Sequence, residues 1–115
     1  MEVYQQAQGL QDQLVEWYRD LHQIPETGLM LPQTAAFVKR VLTELGLTYE
    51  EYPGHSGITV RIGGKQKGGK TVALRADMDA LEIQEDTGLP YASKNGKMHA
   101  CGHDSHTAML LGAAK

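Results

Sequence analysis

A single cysteine stands in this chain, and one cysteine cannot close an internal disulfide, so the fold gains nothing from an oxidising compartment. A cytoplasmic setting is the expectation that follows. Nowhere do 18 apolar residues follow one another, and residues 1–20 lack the basic start and apolar run of an export signal. Neither a membrane-spanning helix nor secretion is expected. Charge of one sign is also lacking: 11 Lys and Arg against 14 Asp and Glu leave a formal net charge of −3. The cations are scattered apart from Lys65, Lys67 and Lys70, which gives no electrostatic reason to expect nucleic acid.

What is present has ordinary globular composition, 41% hydrophobic and 22% charged over 115 residues, enough for one domain with a core. Apolar residues recur at gaps of three and four from Val3 through Ala7, Leu10, Leu14, Trp17 and Leu21, which predicts one amphipathic helix over residues 2–21. Pro25 ends that pattern and leaves a loop carrying His22 and Glu26, read as a pair that ties the helix to the domain. Pro32 opens a second helix whose apolar face runs to Leu45, with Gly46 placed to terminate it. Segments 47–52, 57–62 and 71–74 are rich in β-branched or alternating residues and read as three strands. Residues 82–91 are polar and turn-rich, a loop over one end of the sheet.

Gly64 to Thr71 satisfies the phosphate-loop pattern G-x-x-x-x-G-K-[ST]. The motif works only where a helix starts at its end and aims its N-terminus at the phosphate, and here Val72, Ala73 and Leu74 read as strand. A glycine-rich hairpin is the expectation.

The densest chemistry lies in Met98–His106, which holds the one cysteine and three of the five histidines. Thiolate and imidazole are the side chains that bind borderline metals best, and Cys101 and His103, two apart, can aim their donors together. The alternatives are a structural thiol beside a surface histidine, or a Cys101 nucleophile served by His99, His103 or His106. Upstream, Asp77 and Asp79 share the same spacing at the end of a strand. They are either solvated loop carboxylates or partners that orient a ligating group. His55 and His106 have no assignment. Asp104 or Ser105 can cap a final helix that is apolar nearly all round, which reads as a helix awaiting cover from a longer protein.

Four runs, Leu21–Gly28, Ala73–Leu81, Thr87–Tyr91 and Met98–Asp104, together resemble the M20 metallopeptidase family, closest to its amidohydrolase branch of aminoacylases, hippurate hydrolases and N-acetyldiaminopimelate deacetylases. The resemblance implies an α/β fold with a mixed sheet flanked by helices, residues 1–115 forming the N-terminal portion of a zinc-peptidase-like catalytic domain. It implies metal-dependent hydrolysis of the amide of N-acyl amino acids or small peptides, with two divalent ions (Zn, Mn or Co) per complete site and a homodimeric parent. Cys101 and His103 match metal ligands, and Asp79 matches the aspartate that supports the metal site and the catalytic geometry. Asp77 stands where more distant relatives place a ligand histidine. Leu31, Glu82 and Ser105 depart from the usual residues, and the general base and remaining ligands have no counterpart within the chain. The contrasting expectation is a non-catalytic piece, or a partner-completed module, that binds metal weakly or not at all.

Overall fold

The computed structural model describes residues 2–115. Four helices and one hairpin occur in the order α1 (Val3–Gly9), α2 (Gln11–His22), α3 (Pro32–Glu44), β1 (Glu50–Tyr52), β2 (His55–Thr59) and α4 (His103–Ala114). The single helix expected over 2–21 is two. Gly9 is a poor helix former, and Leu10 sits at φ −94°, ψ 1°, its N–H donating to Ala7 O before the helix resumes with Leu14 N to Leu10 O. Periodicity continues through this break, but burial does not: Val3 and Tyr4 are exposed, and it is α2, through Trp17 and Leu21, that enters the core.

Helix α3 follows its expectation closely, with Pro32 in the first turn, where no donor is lost. Its N-terminus is capped from outside. The Glu26 carboxylate accepts from Gln33 N at 3.1 Å and Thr34 N at 2.7 Å, so the loop glutamate does tie chain segments together. Its C-terminus closes through Gly46 at φ +75°, with Leu47 N donating to Leu42 O.

The core is the space between α2, α3 and α4: Trp17 and Leu21, then Phe37, Val38, Val41 and Leu42, then Ala108 and Leu111. Each large side chain buried there contributes about 1.5–3 kcal/mol of transfer free energy. Gly112 lets α4 approach α2, since a β-carbon at that position would lie 2.6 Å from Leu14 Cδ2.

Helices and sheet coexist as expected, but the sheet is smaller than a mixed one. It is a two-stranded antiparallel hairpin with Glu50 opposite Thr59 and Glu51 opposite Ile58, irregular between Glu51 and Tyr52 and turned at Gly54 (φ +86°). Residues 71–74 pair with nothing among the described residues, and Val72 and Leu74 are 80% and 69% exposed. A strand needs a neighbour to satisfy its amides, and local β-propensity cannot supply one. No helix begins at Thr71, so the phosphate-loop pattern lacks the element that gives it meaning. The irregular stretch from 60 to 102 is pinned instead at chosen points. Ala80 N donates to Glu26 O, and Leu81 and Met98 exchange both backbone bonds in one antiparallel bridge. That bridge holds the aspartate segment beside the cysteine–histidine segment.

Candidate metal centre

Gly102, at φ +100°, turns the chain sharply from Cys101 into α4, so the helix begins at His103 rather than behind an Asp104 or Ser105 cap. Successive residues at this start leave in opposite directions. His103 goes toward the aspartate segment and Asp104 into the core, where it is 2% exposed.

His103 Nδ1 lies 2.9 Å from both the backbone oxygen and the carboxylate Oδ1 of Asp79. A carbonyl oxygen only accepts, so Nδ1 carries a proton and donates, and this bond sets the ring with Nε2 turned away from Asp79. Nε2 faces Asp77 Oδ2 at 3.4 Å, while Asp77 Oδ1 is held by the Arg75 guanidinium at 2.7 Å. Thr107 Oγ1 donates to Asp77 O at 2.8 Å and fixes that backbone against α4. His106, one turn beyond His103, stacks on it with ring centroids 5.5 Å apart. Donor atoms of Asp77, His103 and His106 all lie within 4.8 Å of one another, the one such trio among the described residues. Cys101 is exposed and stands outside this trio. The donor set of two imidazoles and a carboxylate, with a second carboxylate behind one imidazole, fits a zinc-like divalent ion.

A second histidine–carboxylate cluster lies on the other side of Asp104. His22, 3% exposed at the end of α2, bonds Asp104 Oδ2 through Nδ1 at 2.7 Å and Glu85 through Nε2 at 2.9–3.0 Å. Tyr91 presents a T-shaped edge to the ring at 5.5 Å, and Arg19 lies over Tyr91. Burial works against a charged His22, but the hydrogen bonds and charges of Glu85 and Asp104 outweigh it and raise the pKa. Burial likewise opposes ionisation of Glu85, yet Ser93 N–H, the Thr87 hydroxyl and His22 overcome it and lower its pKa to about 2. His22 therefore donates from both nitrogens, a cation between two anions. His99, buried between the clusters, has no hydrogen-bond partner on either nitrogen among the described residues, and burial pushes its pKa down.

Sequence reasoning placed His22 as a tie but missed Glu85 and Asp104 as its partners, 63 and 82 residues away, because no local pattern links them. The structure brings Asp79 to His103 and adds Asp77 and His106. It does not bring Cys101 into the same cluster.

Residues 73–115 match the sequence profile of peptidase family M20/M25/M40. The chain is 51% identical over 106 residues to an N-acetyl-L-cysteine deacetylase of Bacillus subtilis, covering 91% of this chain and 25% of that protein. It is 44% identical over 115 residues to an N-acyl-L-amino acid amidohydrolase of Geobacillus stearothermophilus, covering 99% and 31% respectively. Among solved structures, a dinuclear metal-binding peptidase of the M20 family from Bacillus subtilis superposes with a TM-score of 0.84 at 40% identity, over 93% of this chain and 30% of that one. The chain thus spans 25–31% of the length of these proteins. The resemblance to the M20 family that the motifs carry is matched by all three kinds of likeness.

Proposed function

We infer that this chain is part of an M20 hydrolase, and from that premise we propose that its parent protein hydrolyses the amide bond of N-acyl amino acids or small peptides with the help of divalent metal. The observation that carries the reading is the His103 geometry: Nδ1 fixed by Asp79 and Nε2 turned toward Asp77. An imidazole so held is a ligand with its tautomer and orientation already set. His103 and Cys101 are the proposed ligands, and Asp79 is a positioning residue that holds the ring. Two bound divalent ions would polarise the amide carbonyl and bring the pKa of a water toward neutrality. Arg75 holds one Asp77 oxygen and keeps the other directed at the site.

In this reading residues 1–115 are the N-terminal portion of the catalytic domain, two ions (Zn, Mn or Co) complete the site, and the parent is a cytoplasmic homodimer acting on a small substrate. The relatives named for N-acyl amino acid hydrolysis support the substrate class. The short coverage of those relatives supports a second reading for the chain alone, a non-catalytic or partner-completed module that binds metal weakly or not at all. The test is hydrolysis of N-acetyl amino acids by the full-length protein with added Mn²⁺, Co²⁺ or Zn²⁺. Turnover that is lost with chelator and in His103→Ala is the expected result. Turnover unaffected by chelator would defeat the reading.

A further inference from the structure

The sequence holds a single asparagine, Asn95, and the residue after it is Gly96. Both are exposed, on the loop between Ser93, whose N–H donates to Glu85 beside His22, and Met98, which bridges to Leu81. Asn95 has a structural task there. Its Nδ2 donates to Pro25 O at 2.9 Å and its Oδ1 accepts from Lys97 N at 3.1 Å, so one side-chain amide ties the loop after α2 to the segment leading toward Cys101.

The same arrangement exposes that amide to its own backbone. The bond from Lys97 N to Oδ1 closes a turn around the Gly96 N–H, which bonds nothing among the described residues, and folds the side-chain carbonyl back toward that nitrogen. Gly96 lies at φ +80° in open space, the nearest atom to a β-carbon built there being Gln84 Oε1 at 3.9 Å. Any other residue would shield the nitrogen with a side chain. Lys94 and Lys97 flank the pair, and their positive charge favours the deprotonated, nucleophilic form of the amide.

We propose that Asn95–Gly96 is a modification site at which the chain deamidates spontaneously, and that the change releases the tie to Pro25. Gly96 N gives up its proton and attacks Asn95 Cγ; the new C–N bond forms, the Cγ–Nδ2 bond breaks, and Nδ2 leaves as ammonia, giving a five-membered succinimide. Water then adds to one of the two ring carbonyls. Opening on one side leaves aspartate, and on the other isoaspartate, whose main chain is one carbon longer. One water is consumed and one ammonia released. Either product sets a carboxylate, which only accepts, against the Pro25 carbonyl oxygen, so the bond is lost. The change goes beyond the hydrolase reading and does not depend on it. In the folded chain the Pro25 bond restrains the amide, so the reaction runs more slowly than in the unfolded one.

The experiment is timed incubation of the purified 115-residue chain at neutral and mildly alkaline pH, folded and in denaturant, beside Asn95→Gln. Intact mass, peptide mapping and enzymatic methylation of isoaspartate are the readouts. The folded chain is expected to gain one mass unit progressively, faster at the higher pH, with the gain mapped to Asn95 and absent from Asn95→Gln. A gain in the denatured chain alone would overturn the proposal, since the fold would then protect the pair. So would a gain that persists in Asn95→Gln. The consequence is tested separately with Asn95→Asp, expected to melt at a lower temperature and to exchange its amides around Pro25 faster. Melting and exchange equal to wild type would overturn the release of the tie.

Discussion

Two histidine–carboxylate clusters meet α4 at adjacent residues, and they differ in what is left over. Around His22 every ring nitrogen and both carboxylates are engaged, the side chains are 0–4% exposed, and nothing remains to bind a ligand. Around His103 one nitrogen is committed and the other is not, and the flanking aspartates are 31% and 49% exposed. The same residue types thus serve opposite ends. A saturated, buried histidine braces the fold, while a half-saturated one at the surface is available for chemistry. His103 and Asp104 share one turn of α4, so the brace fixes the direction in which His103 is presented.

The most severe way to break this contrast is His22→Ala. It leaves Glu85 and Asp104 buried opposite no cation, and removal of one partner of a buried ion pair costs about 3–5 kcal/mol. Chemical denaturation of wild type and variant is expected to show that loss; a change below about 1 kcal/mol would mean the brace is not structural. Asp79→Asn sharpens the other side. Its side chain is half exposed, so stability is expected to hold, while metal affinity falls about 10-fold or more as His103 loses the carboxylate behind its ring and keeps only the bond to the Asp79 backbone oxygen. Calorimetric titration with Zn²⁺ beside a melting curve separates the two effects.

The smallest effect is the pH dependence. The raised pKa of His22 makes its contribution fully present below its unfolded value of 6.5 and lost as pH rises through the folded value. Glu85, lowered to about 2, contributes fully above its unfolded 4.5 and loses that contribution as pH falls through about 2. The brace is therefore complete between pH 4.5 and 6.5. Unfolding free energy measured against pH is expected to decline above that window in wild type, and the part of the decline due to His22 is expected to vanish in the His22→Ala variant.

The candidate site's stretch stood out because its histidines and cysteine fall within nine residues, and helix α3 was legible because its proline, apolar face and Gly46 all agree. The break at Leu10 was not, since apolar spacing continues through a segment whose outer half packs against nothing in the core. Nor was the failure of 71–74 to pair, because a ladder depends on a distant partner rather than on its own residues. Within the site, Asp79 was readable as a carboxylate able to orient a neighbouring group, and it does bond His103, whereas the His22 brace and the place of His106 depend on which way adjacent helix residues point.

The exposed lysine–glycine loop between the hairpin and the aspartate segment divides the molecule's labour along the chain. Asp77, Asp79, His103 and His106 all follow it, while α2 and α3, which form most of the core under them, precede it. Proteolytic nicking concentrates in exposed loops of small and polar residues, and a cut there severs the backbone between donors and scaffold. The halves would then be held by packing of α2 and α3 on α4, by the His22–Asp104 and His22–Glu85 bonds and by loop bonds such as Ala80 N to Glu26 O, so metal binding by a nicked sample becomes a direct readout of complementation between two polypeptides.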